Sequence, residues 1–219
     1  MLSYNDVKKN TAIRAYIQRA DQSLLALGYT EHSFAHVTKV AEEVGYILST
    51  LDFSEREVEV AKIAAFMHDI GNLVNREDHS QSGALMAFRI LDKMGMEPDE
   101  LATVVTAIGN HDEGNGVPVN PIAAALILAD KSDVRRSRVR NRDVSTFDIH
   151  DRVNFSVTES KLTIDKDAGQ ILLDITIDTK YSSVMEYFEI FLGRMLLCRK
   201  AADMLSLQFK LIINGQQLL

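Results

Sequence analysis

The sequence predicts a mainly α-helical protein with a small α+β appendage at its C-terminal end. Apolar residues recur with helical spacing from residue 3 to about residue 140. Near residue 150 the spacing changes to the alternation that is typical of β-strands, and a long amphipathic segment follows. We therefore expect a helical domain over residues 1–145 and a β-β-α appendage over residues 146–219, which serves as a dimerisation or lid module.

Each of the first three predicted helices begins at a serine or threonine, the residue types that cap helices. The predicted ranges run from Ser3 to Leu25, from Thr30 to Leu48 and from Ser54 to Gly71. In each range the apolar residues lie three or four positions apart, which indicates one buried face.

Three further helices are predicted in the same region, and proline marks the first turn of two of them. The predicted ranges run from Asp78 to Leu91, from Pro98 to Ile108, and from Asn120 past Asp130 into an arginine-rich stretch.

The appendage is predicted from three alternating segments and one capping box. The segments are Val153–Val157, Leu162–Ile164 and Leu173–Asp178, with a turn at Lys166–Gly169. Ser183 then opens a long helix to about residue 206, with Met185, Phe188, Phe191, Leu192 and Met195 on its apolar side.

Composition excludes several classes of protein. The chain has 24 Lys and Arg against 31 Asp and Glu, a net charge of −7, which argues against a nucleic-acid partner or an anionic membrane partner. Its single cysteine, Cys198, allows no intrachain disulfide and is expected to be buried. No signal peptide or membrane-spanning stretch is recognisable, so we expect a soluble, cytoplasmic protein.

Two helices combine an apolar surface with a terminal carboxylate. Residues 61–67 are mostly apolar and lead into His68 and Asp69, while residues 121–129 are entirely apolar and lead into Asp130. A helix that is apolar on every face is buried, so each carboxylate lies at the edge of the core. An unpaired ion there costs several kcal/mol, and an arginine, a helix N-terminus or a metal ion must compensate it.

The histidines favour the metal ion. Five of the six lie inside the helical region, at His32, His36, His68, His79 and His111. His32 and His36 are four residues apart and are expected on one helix face. Neutral imidazole and carboxylate are ligands that divalent Zn, Mn and Fe share, so we predict a mixed site with open positions for water and substrate.

The order His36, then His68-Asp69, then Asp130 resembles the HD-domain superfamily of metal-dependent phosphohydrolases. The segment at His36 resembles that family's H-x-x-x-V-A helix, the segment at His68 its HDIG core, and the segment at Asp130 its A-D-x-x-D motif. The resemblance covers roughly residues 25–140.

This resemblance implies an HD-domain helical bundle that hydrolyses a phosphoester, mostly of nucleotides, with a metal-activated hydroxide. His36, His68, Asp69 and Asp130 are the implied metal ligands, and Asp69 and His68 are the implied catalytic residues.

His79 and His111 lie between the HD pair and the final aspartate. They resemble the added ligands of dinuclear members such as the HD-GYP phosphodiesterases, which implies a second metal with Asp69 as the bridge. The sequence departs from that subfamily at Asn72, where the subfamily has Lys, and at Val117, where it has Tyr. The predicted cofactor is one or two divalent ions per chain, from among Mn, Fe, Ni, Co, Zn and Mg.

Substrate-binding residues are predicted next to the final ligand. Lys131 and Arg135 are expected on one helix face, where they would bind the substrate phosphate. The candidate proton donors to the leaving oxygen are His32 and Asp112. Asp133 is expected to form an ion pair with one of the neighbouring arginines.

Two alternative functions remain open at the level of sequence. The first is a mixed-valent diiron oxygenase on the same scaffold, which needs iron and both His79 and His111 as ligands. The second is a non-catalytic metal- or nucleotide-binding signalling module. We expect a small phosphorylated substrate, a nucleotide above all, and a homodimer formed through the appendage.

Overall fold

The structure is a computed structural model that describes all residues from Met1 to Leu219. The helices, numbered in chain order, are α1 Tyr4–Lys9, α2 Thr11–Ala26, α3 Phe34–Thr50, α4 Glu55–Met67, α5 His79–Lys93, α6 Pro98–Gly109, α7 Pro121–Ser132, α8 Ile149–Ser156 and α9 Val184–Met204. The strands are β1 Val157–Asp165, β2 Gln170–Ile177, β3 Gln208–Ile213 and β4 Gln216–Gln217. The predicted fold class is therefore confirmed: the protein is mainly α-helical with a small C-terminal sheet and a long helix.

α7 lies at the centre of the helical region. Its residues from Ile122 to Ala129 are all buried, as expected for a helix that is apolar on every face. It packs against α3, α4 and α6, and its other side contacts α9 of the appendage. One hydrophobic core therefore extends through both regions, from Val7 to Ile213. The domain boundary at residue 145 stays a prediction.

The appendage contains a four-stranded sheet in the order β1-β2-β3-β4. β1 and β2 form the predicted antiparallel hairpin, and α9 connects β2 to β3, which pair in parallel. β3 and β4 form a second hairpin whose turn holds Asn214 and Gly215 at φ 51° and 77°. None of the helices combines the length and the apolar composition that a transmembrane span requires.

The predicted boundaries of the first three helices are partly wrong. The first predicted helix is two helices, because the Asn10 side chain accepts hydrogen bonds from the amides of Ala12 and Ile13 and starts α2. α3 begins after Ser33 and not after Thr30. His32 therefore precedes the helix and does not share a helix face with His36.

α4 and α5 also differ from prediction at one end each. α4 ends at Met67, and Ile70–Leu73 form a separate 3-10 helix that turns the chain away after His68 and Asp69. Asp78 precedes α5 with a left-handed backbone at φ 54°, and its side chain makes no capping hydrogen bond.

α7 ends at Ser132 and does not continue into the arginine-rich stretch. The Asp133 carboxylate accepts hydrogen bonds from His36 Nδ1 and Lys39 Nζ, and Arg138 Nη1 donates to the Asp133 carbonyl. These contacts require a non-helical backbone at Asp133. Lys131 and Arg135 therefore do not share a helix face.

The strand prediction for Val153–Val157 is wrong, because those residues end α8 and begin β1. Asp148 caps α8 through the amide of Asp151. The sequence analysis also missed β3 and β4. On α9, Met185 and Leu192 are exposed, whereas Cys198 is buried as predicted.

Candidate metal centre

Six potential metal ligands converge from five separate helices. His36 is on α3, His68 and Asp69 directly follow α4, His79 opens α5, His111 follows α6, and Asp130 is near the end of α7. All four histidines are buried, and Asp69 is only 6% exposed. The ends of the buried helices thus bring every predicted ligand to one place.

Four of these ligands form a group that we call site A: His36, His68, Asp69 and Asp130. The Nε2 atoms of His36 and His68 are 3.3 Å apart, and each lies between 3.3 and 3.6 Å from Asp69 Oδ2 and Asp130 Oδ1. Ligand atoms held about 2.1 Å from one metal ion are themselves roughly 3 to 3.5 Å apart. The spacing of site A therefore fits a single divalent ion.

The remaining ligands form a second group, site B, which consists of His79, His111 and the other oxygen of Asp69. The two Nε2 atoms are 3.2 Å apart, and His79 Nε2 is 3.5 Å from Asp69 Oδ1. Asp69 thus presents one carboxylate oxygen to each site. This is the arrangement that a carboxylate bridging two metal ions requires.

Hydrogen bonds on the far side of each ring fix which nitrogen faces the centre. Nδ1 of His68 and Nδ1 of His111 each lie 2.7 Å from a backbone carbonyl oxygen, and Nδ1 of His79 lies 3.1 Å from another. Since a carbonyl only accepts, each Nδ1 carries a proton, and the neutral ring presents a lone pair at Nε2. Lone pairs and carboxylate oxygens that face one another require a shared positive charge, either a proton or a metal ion.

Asp69 supplies independent support for a cation. Its Oδ2 atom is buried and has no hydrogen-bond partner in the protein. A buried carboxylate oxygen without a hydrogen-bond partner destabilises the folded protein. Because this oxygen faces two imidazole nitrogens, a bound metal ion would satisfy all three atoms. The residues present therefore fit a divalent metal.

Charges in the centre shift the pKa values of its members. Burial alone would lower the pKa of His68, but the adjacent carboxylates of Asp69 and Asp130 outweigh it and raise that pKa to about 10. Burial lowers the pKa of His79 and of His111, so both are neutral at pH 7. Neutral imidazole is the form that binds metal, and binding at site A must displace a proton from His68.

Two residues outside the ligand set hold the ligands in place. Asp133 Oδ2 accepts from His36 Nδ1 at 2.8 Å, and this buried carboxylate is paired in turn with Lys39 and Arg135. Asn72 Nδ2 donates to Asp69 Oδ1 at 3.0 Å. Asp133 thus performs the ion-pair role predicted for it and also orients a metal ligand.

A cavity of about 430 Å³ opens onto both sites. Its walls include Asp69, His79, His111 and Asp130, together with residues of α8 and α9 from the appendage. Four cationic side chains also line it, namely Arg76, Lys131, Arg138 and Arg194. The wall also carries five carboxylates, those of Asp69, Glu113, Asp130, Asp148 and Asp151. A volume near the lower end of the range for ligand pockets suits one small molecule.

The two candidate proton donors lie near the centre but differ in placement. His32 lines the cavity, its Nδ1 donates to the Thr30 carbonyl at 2.7 Å, and burial lowers its pKa well below 6.5. It therefore presents an acceptor at Nε2 at pH 7, which favours an acceptor role over the predicted donor role. Asp112 does not line the cavity, and its Oδ1 lies 3.9 Å from both His79 Nε2 and Lys131 Nζ.

The two predicted phosphate-binding residues are separated in the structure. Lys131 lines the cavity and pairs with Asp130 at 2.8 Å and with Glu113 at 2.6 Å. Arg135 lies outside the cavity, where it bonds Asp133 and Glu31. The structure therefore does not bring Arg135 to the centre.

Four charged residues at this cavity were not assigned to the site from the sequence: Arg76, Glu113, Arg138 and Arg194. Arg194 lies in the part of the chain that the motif resemblance does not reach, and no local pattern marks it. Glu113 had a usable signal, since it follows His111 and Asp112 in a glycine-containing loop, where binding residues concentrate.

Comparisons with known proteins agree with the motif order. A family model described as the HD domain matches residues 30–152. The chain is similar to an uncharacterized protein of Methanocaldococcus jannaschii, with 24% identity over 160 residues that make up 63% of this chain and 61% of that relative. The chain thus spans less than two thirds of the length of the curated relative that it matches.

The solved structures similar to this chain include that of a predicted HD superfamily hydrolase from an uncultured Thermotogales bacterium. The identity is 25% and the TM-score is 0.45, over 57% of this chain and 67% of that chain.

Proposed function

This chain belongs to the HD domain family, as its motifs predicted, and from that premise we propose that it is a metal-dependent phosphohydrolase acting on a small nucleotide-like phosphoester. The observation that carries the proposal is the convergence of four histidine Nε2 atoms and two aspartates on a cavity lined with cationic side chains. Such a cavity suits an anionic substrate held beside divalent ions.

The residues of the centre have separable roles in this proposal. His36, His68, Asp69 and Asp130 would hold one divalent ion, while His79, His111 and Asp69 would hold a second. When bound, such ions supply an activated water at neutral pH and neutralise charge that develops on phosphate oxygens.

The surrounding side chains bind and orient the substrate. Cationic groups on the cavity wall attract the phosphate and hold it in the low-dielectric interior, where charge-assisted hydrogen bonds are strong. His32 Nε2 accepts a hydrogen bond from water or from a substrate hydroxyl. Tyr29, whose ring is exposed at the same cavity, offers an aromatic surface to a nucleobase.

The proposal is tested by phosphate release from the full chain reconstituted separately with Mn, Ni, Co, Zn, Fe or Mg. The substrates are nucleoside mono-, di- and triphosphates and p-nitrophenyl phosphate. We expect turnover of at least one substrate, with Asp69→Ala as the control for contaminating phosphatases. If no substrate with any metal exceeds the rate of that variant, the proposal is wrong.

The diiron oxygenase alternative is favoured by one specific observation, the close approach of His79 and His111 that it requires. Metal analysis of chain purified without added metal or chelator separates the two functions. About two equivalents of iron with oxygen consumption would favour the oxygenase, whereas manganese, nickel or zinc with phosphate release supports the hydrolase. Metal binding without either activity would favour the signalling module.

We also propose, as the sequence predicted, that two chains associate through the appendage. The exposed apolar side chains of α9, Met185, Leu192 and Leu196, are the surface that supports this proposal. Light scattering coupled to size-exclusion chromatography should give twice the chain mass, and Leu192→Glu should give the monomer. A monomeric parent chain would contradict it.

A further inference from the structure

Arg194 is a residue of the appendage that reaches the metal centre cavity. It lies on α9, and its guanidinium is 4.3 Å from the centroid of the Phe191 ring, against which it packs. Its Nε donates to Glu113 Oε1 at 2.8 Å. Two contacts from different elements thus fix the direction of one arginine toward the cavity.

A continuous series of contacts joins Arg194 to the metal ligands. Glu113 accepts from Arg194 with one oxygen and pairs with Lys131 Nζ through the other at 2.6 Å. Lys131 Nζ is in turn 2.8 Å from Asp130 Oδ2, the oxygen that faces away from site A. Arg194 is therefore joined to a metal ligand by three short contacts, and both residues line the same cavity.

The cavity cations differ in how much of their hydrogen-bonding capacity is already used. Lys131 is 3% exposed and is engaged by Asp130 and Glu113. Arg138 is 4% exposed and donates to the carbonyls of Glu31 and Asp133.

Arg194 differs from Lys131 and Arg138 in having both terminal nitrogens free. It also differs from Arg76, whose Nη1 lies 3.3 Å from Asn72 Oδ1 and 3.4 Å from His79 Nε2. The Nε of Arg194 is bonded, but neither Nη1 nor Nη2 has a partner in the protein, and neither is among the fully buried atoms. The two terminal nitrogens, which are the pair that binds two oxygens of one phosphate, thus remain available to the cavity.

We infer that Arg194 binds a terminal phosphate group of a small substrate and that Glu113 is its positioning residue. The inference rests on the proposed function and extends it by naming the substrate class and the part of the chain that recognises it. A terminal phosphate has three free oxygens, so it can face the metal centre and still offer oxygens to a guanidinium. An internal diester has only two free oxygens, so it has fewer to share between the metal centre and a guanidinium.

The first test measures binding of inorganic phosphate to the metal-loaded full chain by isothermal titration calorimetry. Arg194→Gln should weaken phosphate binding by about ten- to a hundredfold, because two charge-assisted hydrogen bonds are lost. Arg194→Lys keeps the positive charge but lacks the two terminal nitrogens. Its phosphate affinity should therefore lie between that of the parent chain and that of Arg194→Gln. Arg199→Gln, an exposed cation of the same helix with no ion pair, is the matched control and should bind as the parent chain does.

Metal content is the readout that separates recognition from structural damage. Arg194→Gln should retain the metal content and the circular dichroism spectrum of the parent chain. If that variant does not fold, Arg194→Lys alone decides the question. Unchanged phosphate affinity in the folded variant, or no phosphate binding by the parent chain, would overturn the inference.

Glu113 is tested by a double-mutant cycle on the same phosphate affinity. Glu113→Gln should weaken binding in the parent chain but add little in the Arg194→Gln background, since its effect passes through Arg194. Fully additive losses would show that Glu113 does not position Arg194.

Kinetics distinguish this inference from the proposed function. With p-nitrophenyl phosphate, Arg194→Gln should raise KM by about tenfold or more, while hydrolysis of bis(p-nitrophenyl) phosphate changes little. If the parent chain hydrolyses both esters and Arg194→Gln behaves identically, only the inference fails. If the chain hydrolyses neither ester but Arg194→Gln still weakens phosphate binding, the proposed function fails and the inference stands.

Discussion

Site A and site B share Asp69 but differ in what holds their other ligands. In site A, His36 is oriented by the buried Asp133 carboxylate, and Asp130 adds a second anionic ligand. In site B, the Nδ1 atoms of His79 and His111 are bonded only to backbone carbonyls. Asp69 Oδ1 is 3.5 Å from His79 Nε2, and the next carboxylate, that of Asp112, is 3.9 Å from it. A carboxylate behind an imidazole makes the ligand more basic, so site A should bind a divalent ion more tightly.

A nearby cation increases this difference. The Arg76 Nη1 atom lies 3.4 Å from His79 Nε2, so a positive charge adjoins site B. At site A the nearby cation Lys131 contacts Asp130 Oδ2, the oxygen that faces away from the Nε2 atoms, at 2.8 Å, and it is also paired with Glu113. Two similar sets of ligands can thus differ in metal affinity because different groups orient and surround them. We predict that site A binds its metal ion first.

The largest effect is expected from removal of the shared ligand. Asp69→Ala should eliminate metal from both sites and lower activity by at least about a hundredfold, because neither site keeps its bridging oxygen. Plasma mass spectrometry gives metal per chain, and circular dichroism checks the fold. Asp92→Ala, an exposed aspartate on α5, is the control. Retained metal with full activity would contradict the assignment of Asp69.

The next test breaks the two sites separately. His79→Ala and His111→Ala should each lower the stoichiometry from two ions per chain to one, whereas His36→Ala should remove the tighter ion. Metal titration of the three variants measures both affinities. If His36→Ala leaves the tighter ion in place, the order of the sites is reversed, and unchanged stoichiometry in both site B variants would refute a dinuclear centre.

A smaller effect is expected from the carboxylate behind His36. Asp133→Asn keeps the shape of the side chain but removes its charge, so metal affinity at site A should fall by about ten- to a hundredfold with site B unchanged. Competition titration with a coloured chelator measures the change. Thermal melting of the metal-free variant separates this effect from loss of the ion pairs with Lys39 and Arg135. An equal loss at both sites would count against a specific role for Asp133.

The smallest effect is expected from a substitution of Asn72, which donates a hydrogen bond to the shared Asp69 carboxylate. Asn72→Ala removes the donor to Asp69 Oδ1, the oxygen that faces site B. Affinity at site B should fall by about tenfold, at the low end of the range for residues that orient metal ligands. The same titration applies, and a larger loss at site A than at site B would show that Asn72 supports the carboxylate as a whole.

The convergence of His68, Asp69 and Asp130 could be predicted from sequence because all three lie at the ends of apolar helices, whereas His36, His79 and His111 were assigned as ligands through the motif resemblance. Buried apolar runs predicted that His68, Asp69 and Asp130 lie at the edge of the core, and the structure places them there. The prediction that His32 and His36 share a helix face is wrong for a local reason. The Ser33 side chain accepts a hydrogen bond from the Ala35 amide and caps α3, so His32 lies before the helix begins.

The appendage was harder to predict because its alternating segments are short. The five alternating residues at Val153–Val157 are compatible with a helix end as well as with a strand. The Asp148 side chain caps α8, and all but the last of these residues belong to that helix. β3 and β4 did carry a signal, since Asn214-Gly215 is a strong hairpin turn sequence. The position of Arg194 could not be predicted, because it depends on how α9 packs across α7.

The parallel pairing of β2 with β3 limits how the protein can exchange ligands with solvent. α9 is the crossover between these strands, so it cannot swing away from the cavity without breaking the hydrogen bonds at both of its ends. The segment from Leu27 to Thr30 and residues of α8 also line this cavity, and Tyr29 in that segment is exposed. With α9 held at both ends, the cavity keeps one fixed wall, and any opening motion is expected on the side where Tyr29 is exposed.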